Sequence, residues 1–130
     1  MTTREMTVEE HIQTALTFLE QSDQEFCKED ILQGSEKLWG AVAHSTIAIA
    51  KQRGWPTDSH RNLVDAARGL AQERDDQLLF AQFQVALIFH WRFYGHGYFN
   101  PFSEADPMAD DRSSATEYVH RVLEIAGGSS

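Results

Sequence analysis

Apolar residues recur at intervals of three and four along most of the chain, which is the spacing of one face of an α-helix. The sequence TVEE at residues 7–10 has the form of a capping box, so we predict that a first helix begins there. Polar residues 21–24 interrupt the pattern. A second, longer helix is predicted from residue 25 or 28 to Arg53, with Gly54 suited to the left-handed position at its end.

Three further helices are predicted in the second half of the chain. Ser59 is placed to cap a third helix, which ends at a charged junction near residue 73. A fourth helix runs from about residue 75 to Tyr94, and it is so rich in apolar residues that it is either the central helix or one that also buries a face against another chain. An irregular stretch, residues 98–111, precedes a last helix at about residues 112–126. The pattern therefore predicts an all-α, antiparallel up-and-down bundle of four to five helices.

Length and charge narrow the class of protein. The 130 residues suit one domain, expected to cover residues 1–130 with frayed ends at 1–6 and 127–130. Lys and Arg number 11 against 20 Asp and Glu, and this net charge of −9 disfavours DNA and membrane surfaces as partners, since both require a positive field. The sequence contains no apolar stretch of spanning length and a single cysteine, Cys27, so we expect a cytoplasmic protein without a disulfide. Cys27 itself is expected near a helix start as a partly buried residue.

Two cationic side chains at the end of the fourth predicted helix are candidates for catalysis. Arg92 and His96 are four residues apart, so they can converge on one spot. An arginine matches phosphate oxygens and a histidine transfers protons, and together they are the minimum for cleaving RNA without a metal. The structural alternative is that both side chains stabilise the free carbonyl groups at the helix C-terminus.

Five further residues are candidates for binding. His90 and Tyr94 lie beside Arg92, while Lys51 and Arg53 end the second helix and could add to a local basic pocket. His44 lies mid-helix among small residues, where an interior, hydrogen-bonded histidine is the alternative.

Metal binding is a separate hypothesis, because the chain has six histidines. Glu117 and His120 have the Glu-x-x-His spacing of carboxylate-bridged di-iron bundles. Such a bundle needs two of these motifs, and this chain has one. We therefore expect neither a metal site nor a cofactor.

Several sequence motifs resemble those of PaREP-type proteins, which are small prokaryotic helical proteins related to the HEPN (higher eukaryote and prokaryote nucleotide-binding) superfamily. The resemblance rests on QGSEKLWGAVAH at residues 33–44, on AKQRGW at 50–55 followed by Ser59-His60, and on IFHWRFY at 88–94. In the last motif, Arg92 stands where the family usually has asparagine.

The resemblance implies a helical bundle that is often paired into dimers. The wider superfamily contains endoribonucleases of toxin–antitoxin systems with an Arg-x(4–6)-His motif, and non-catalytic members that bind nucleotides or partner nucleotidyltransferases. The Arg92-x-x-x-His96 spacing is one residue shorter than that motif, and Phe93 replaces the polar residue that usually follows the arginine.

We therefore expect a non-catalytic, HEPN-like helical module that dimerises and binds a partner protein or a small ligand such as a nucleotide. The alternative is a metal-independent HEPN-style endoribonuclease that uses Arg92 and His96. The expected homodimer interface involves the second and fourth helices, and the further partner expected is a nucleotidyltransferase-type protein or RNA.

Overall fold

The computed structural model describes residues 5–94 and 107–127, with side chains at residues 5–91 and 110–127. Its five helices are α1 (Val8–Cys27), α2 (Ile31–Arg53), α3 (His60–Glu73), α4 (Gln77–Tyr94) and α5 (Pro107–Ala126). Because these two ranges contain no strand, the predicted all-α bundle is confirmed. Within these residues, no helix has the length and apolar character needed to span a bilayer.

Three predicted helix ends are confirmed by their hydrogen bonds. The Thr7 hydroxyl accepts from the backbone N–H of Glu10 at 3.1 Å, and the Glu10 carboxylate accepts from the Thr7 N–H at 3.0 Å, which completes the capping box. Ser59 accepts from the N–H of Asn62 at 3.0 Å and begins α3. Gly54 has φ 74°, a left-handed conformation that favours glycine, and ends α2.

The predicted break at residues 21–24 is wrong, because α1 continues to Cys27. Ser22 is buried and its hydroxyl donates to the carbonyl oxygen of Gly34 at 2.9 Å, so this polar residue faces a neighbouring helix rather than a loop. The second helix accordingly begins later than predicted, at Ile31, with Asp30 accepting from the backbone of its first turn. Cys27 is exposed at the end of α1, not partly buried near a helix start.

The irregular stretch predicted at residues 98–111 is also corrected. Helix α5 begins at Pro107 rather than near Arg112. Proline suits the first turn of a helix, where its missing N–H leaves no bond unmade. Residues 95–106, including the rest of that stretch, lie outside the described residues, as do residues 1–4 and 128–130 of the ends predicted to fray.

Helix α2 is the central helix of the bundle. It contacts each of the other four helices, whereas α4 contacts α2, α3 and α5. Glycines allow α1 to lie close against α2: a Cβ atom added to Gly40 would lie 2.7 Å from the ring of Phe18, and one added to Gly34 would lie 2.9 Å from the ring of Phe26. Helix α4 is therefore not the central helix, and the alternative, that it buries a face against another chain, stays a prediction.

Contacts at the helix ends fix the helix directions. His60 at the start of α3 stacks on Trp39, and Glu73 at its end pairs with Arg53. Helix α3 therefore runs in the same direction as α2, and residues 54–59 return along the bundle to connect them. The predicted up-and-down order is thus wrong between these two helices, because contacts distant in sequence determine how α3 is placed. Helix α4 is antiparallel to both, since its C-terminal half brings His90 onto Trp39.

Helix α5 runs alongside α2 in the same direction. Arg112 near its start lies over the ring of Phe26, and the Ala126 carbonyl at its end accepts from Gln52 at 2.7 Å. The starts of α2, α3 and α5 and the C-terminal half of α4 consequently share one end of the bundle. The candidate residues His90, Arg92 and Tyr94 belong to this C-terminal half of α4.

The core lies where α2, α4 and α5 meet. Its largest fully buried side chains belong mainly to these helices: Ile49, Val42, Leu79, Phe83, Phe89, Tyr118, Val119 and Val122. Thr46 donates its hydroxyl proton to the Val42 carbonyl at 2.8 Å, so the Tyr118 hydroxyl is the donor in its 2.7 Å bond to Thr46. Burial raises the pKa of Tyr118, which therefore remains protonated.

Candidate functional site

One side of α4 is exposed and uncharged. Leu78, Ile88 and Trp91 are 58%, 57% and 55% exposed, and Ala81 and the half-buried Val85 lie between them. We refer to these five residues as the outer α4 face. No Asp, Glu, Lys or Arg occurs at residues 77–91, although 24% of the chain is charged. Large contiguous apolar patches are typical of surfaces through which proteins bind other molecules.

The spacing of the outer α4 face is typical of helix-to-helix packing. Leu78, Ala81, Val85 and Ile88 follow one another at intervals of three, four and three, which are the a and d positions of a heptad. The small side chain of Ala81 lets a second helix approach closely. The opposite side of α4 is already filled, because Leu79, Phe83, Ala86 and Phe89 are buried in the core.

Helix α2 offers much less free surface than α4. It packs against four helices, and its exposed large apolar side chain is Leu32 in the first turn, 49% exposed. Any part of α2 in an interface is therefore confined to its exposed positions, chiefly those at its N-terminal end such as Leu32 and Glu36.

His90, predicted as a binding residue, lies in an aromatic cluster. Its ring stacks on Trp39 with centroids 5.0 Å apart, and Trp39 also stacks on His60 at 5.9 Å. Burial lowers the pKa of His90, and the positive charge of His60 lowers it further, while Glu36 opposes both effects. At neutral pH His90 is therefore an uncharged aromatic group that joins α2 to α4.

His44, also predicted as a binding residue, faces α1 instead of α4. Its Nδ1 atom lies 2.9 Å from Nδ1 of His11, and the ring of Phe18 packs against it with centroids 5.6 Å apart. The interior, hydrogen-bonded role left open by the sequence is the one the structure supports. His44 therefore faces α1, whereas His90 of α4 packs against α2 at Trp39, so the two histidines do not form one site.

Lys51 and Arg53 do not form a common basic pocket. Lys51 donates to the Met6 carbonyl at 2.9 Å and lies 3.7 Å from the Glu5 carboxylate, ahead of α1. Arg53 points to α3, where its Nη2 and Nε atoms donate to the Glu73 carboxylate at 2.6 and 3.2 Å. The hydrogen bond to Glu73 raises the pKa of Arg53, and the same bond lowers the pKa of Glu73.

The Arg53–Glu73 pair is expected to add little stability, because water screens a partly exposed ion pair. Replacement of Arg53 by alanine should lower the free energy of unfolding by less than about 1 kcal/mol. Urea unfolding monitored by circular dichroism checks this value, with Arg61→Ala as the control on an exposed arginine of α3. A much larger loss would mean that the pair holds α3 against α2.

The remaining predicted site residues lie at the C-terminal end of α4 and beyond it. Arg92 and Tyr94 belong to α4, but their side chains lie outside the described residues, as does the whole of His96. Their predicted roles in catalysis and binding stay predictions.

The Glu-x-x-His motif of α5 lines an open cleft beside α1. Glu117 accepts from Gln82 at 2.8 Å, and both Glu117 and His120 border a cleft of about 580 Å³ together with Asp23 and Arg112. Within residues 5–91 and 110–127, no group of three or more His, Cys, Asp or Glu is arranged to hold a metal ion.

Several polar contacts between helices have no signal in the sequence. His11 was not singled out, and neither was the network in which Arg121 pairs with Asp76 and donates to the buried Gln82 at 3.2 Å. Each of these contacts joins two helices distant in sequence. Finding them requires knowing how one helix is placed against the other, which residue spacing within a helix does not contain.

One buried and two half-buried histidines are expected to make the stability depend on pH. Burial lowers the pKa of His11, His44 and His90 below the ordinary 6.5. As the pH falls through 6.5, the unfolded chain therefore binds protons that the folded chain does not, and the free energy of unfolding decreases. The loss is at most about 1.4 kcal/mol per pH unit for each histidine.

Urea unfolding at a series of pH values measures this effect, with stability expected to be greatest above the ordinary histidine pKa. His120→Asn is the matched control, because it replaces a histidine that is exposed on α5. Equal stability at about pH 7.5 and about pH 5 would contradict the expectation.

Comparison with models of protein families gives a match over most of the chain. The model of the Archaeal PaREP1/PaREP8 family matches residues 10–119, which span all or part of each of the five helices. Comparison with curated proteins gives no match, and comparison with solved structures gives none.

Proposed function

This chain belongs to the PaREP1/PaREP8 family, and on that premise we propose that it is a non-catalytic, HEPN-like helical module that forms a homodimer and binds a partner protein or a small ligand. The observation that carries the proposal is the outer α4 face. More than half of the surface of Leu78, Ile88 and Trp91 is exposed to water in the single chain. Covering these side chains removes apolar surface from water and so favours association.

A second copy of the chain is the occupant that the charges favour. Each copy has a net charge of −9, so two copies repel one another over most of their surfaces. In a two-fold dimer the same patch meets itself, and a charged residue near the axis would face its own like charge. The outer α4 face contains no charged residue, so it is a surface on which two copies can meet without that repulsion.

The size of a stable interface indicates that α4 needs a second element. Specific interfaces involve about 20–30 residues on each side. The outer α4 face has five, so neighbouring exposed residues must contribute. The first turn of α2, where Leu32 is 49% exposed, is the part of α2 that we propose for this role.

Methyl NMR spectra over a dilution series test where copies meet. On dilution from millimolar to micromolar protein, the methyl signals of Leu78, Val85 and Ile88 should shift, while those of Leu16 on α1 should not. Leu16 is the matched control because it is also exposed, at 40%. Shifts confined to α1 or α5 would place the contact elsewhere and contradict the proposal.

The endoribonuclease alternative predicts a different result in a cleavage assay. We expect the wild type to leave end-labelled single-stranded RNA intact in EDTA, as Arg92→Ala and His96→Ala do. Cleavage by the wild type that both variants lose, with unchanged circular dichroism, would replace the non-catalytic proposal with a ribonuclease. The same RNA in a binding titration shows whether RNA is a ligand without being cleaved.

A further inference from the structure

The contact between α1 and α2 contains a pair of histidines that face one another. His11 is 7% exposed, and its Nδ1 atom lies 2.9 Å from Nδ1 of the half-buried His44. The two rings have centroids 5.1 Å apart, and Phe18 covers His44 from the α1 side. We infer that this histidine pair is a pH-sensitive latch, which holds α1 on α2 at neutral pH and releases α1 on acidification.

Counting protons explains why the latch opens. A neutral imidazole has one N–H and one bare nitrogen. A bond between two Nδ1 atoms therefore requires one ring to donate from Nδ1, with its Nε2 bare, and the other ring to accept at Nδ1, with its proton on Nε2. A first added proton can bind the bare Nε2 of the donor ring and leave the bond intact. A second must bind the accepting Nδ1, which places two N–H groups of two cations against each other.

Burial and nearby positive charges disfavour protonation of His11 and His44 near neutral pH. Burial lowers the pKa of His11, and the positive charges of His44 and Lys51 lower it further, while Glu10 opposes them. Burial also lowers the pKa of His44. The carboxylate of Glu10 already accepts from the Thr7 N–H, and Glu5 lies beside Lys51. On the other side, the Lys37 ammonium lies over the ring of Phe18, which separates it from His44.

The architecture makes α1 the element that responds. Among the described helices, α1 packs along α2, and its other contacts lie at its C-terminal end, where Phe26 meets Phe89 of α4 and Arg112 of α5. The core formed by α2, α4 and α5 is held by other contacts, such as the bond between Tyr118 and Thr46. Glycines at positions 34 and 40 bring α1 close to α2, so α1 rests on α2 along most of its length. Local opening of α1 therefore requires less free energy than global unfolding.

Two NMR measurements on the full chain test the latch. A long-range proton–nitrogen spectrum above about pH 7.5 should show one of the two rings protonated on Nδ1 and the other on Nε2. Hydrogen exchange should then show the α1 amides losing at least about tenfold protection relative to the α5 amides on acidification to about pH 5. Referring α1 to α5 removes the change in intrinsic exchange rate with pH.

Variants separate the latch from a general acid effect. In His44→Asn the amide can still donate to His11 while the second proton site is gone, so the selective loss in α1 should disappear. His120→Asn, on α5, should retain it. Two rings both protonated on Nε2, or α1 protection that follows α5 at every pH, would overturn the inference. The tautomer result on the wild type stands even if His44→Asn fails to fold.

Discussion

The Ile88→Asp variant is expected to be monomeric under conditions where the wild type is a dimer. Ile88 is 57% exposed within the uncharged stretch of α4, so the substitution leaves the core intact. In a two-fold interface it places one carboxylate in each copy close to an apolar surface and near its mate. An unpaired charge removed from water by binding costs several kcal/mol, which weakens association by at least about a hundredfold.

Light scattering after gel filtration measures this change as a fall in molar mass. Leu16→Asp is the control, because it introduces the same charge at an exposed apolar position on α1 and should leave the dimer unchanged. Circular dichroism establishes that both variants are folded. A dimeric Ile88→Asp protein would mean that the outer α4 face is not the interface.

The Phe83→Ala variant is expected to lose about 3–5 kcal/mol of unfolding free energy. Phe83 is fully buried, and its ring packs against those of Trp39 and Tyr118 with centroids 6.0 and 5.6 Å apart. Alanine removes the ring and leaves a cavity between α2, α4 and α5 that these helices cannot close by small movements. Since a domain of this size is stable by about 5–15 kcal/mol, the variant should be near the limit of folding.

Urea unfolding gives the free-energy difference directly. Phe80→Ala is the matched control on the same helix: Phe80 is only half-buried, beneath the guanidinium group of Arg68, so its loss should cost clearly less. A Phe83→Ala protein as stable as Phe80→Ala would show that the centre of the bundle lies elsewhere.

Local signals in the sequence were sufficient for much of the fold. Thr7, Ser59 and Gly54 end helices through contacts within a few residues, and each of these ends was predicted correctly. The break at residues 21–24 was predicted wrongly because Ser22 bonds to Gly34, a contact between two helices. The parallel direction of α2 and α3 could not be predicted for the same reason, since it depends on the contact between Trp39 and His60.

The same distinction, between features of one helix and contacts between two helices, applies to the candidate surfaces. The excess of apolar residues on α4 can be recognised from the sequence alone, because the spacing of residues within one helix determines which of them share a face. The pairing of His44 with His11 was not visible, since the spacing of residues within α2 does not say which residue of α1 lies opposite. For the same reason the predicted pocket of Lys51 and Arg53 separates into two contacts, one toward Met6 and one toward Glu73.

Sedimentation equilibrium of the wild-type protein over a range of concentrations tests the proposed dimer most directly. The single chain has a mass of 14.8 kDa, and we expect a reversible increase to twice this value as the concentration rises. The same experiment on Ile88→Asp should give the mass of one chain throughout. A wild-type mass of one chain at every concentration would contradict the proposal that this protein is a dimerising module.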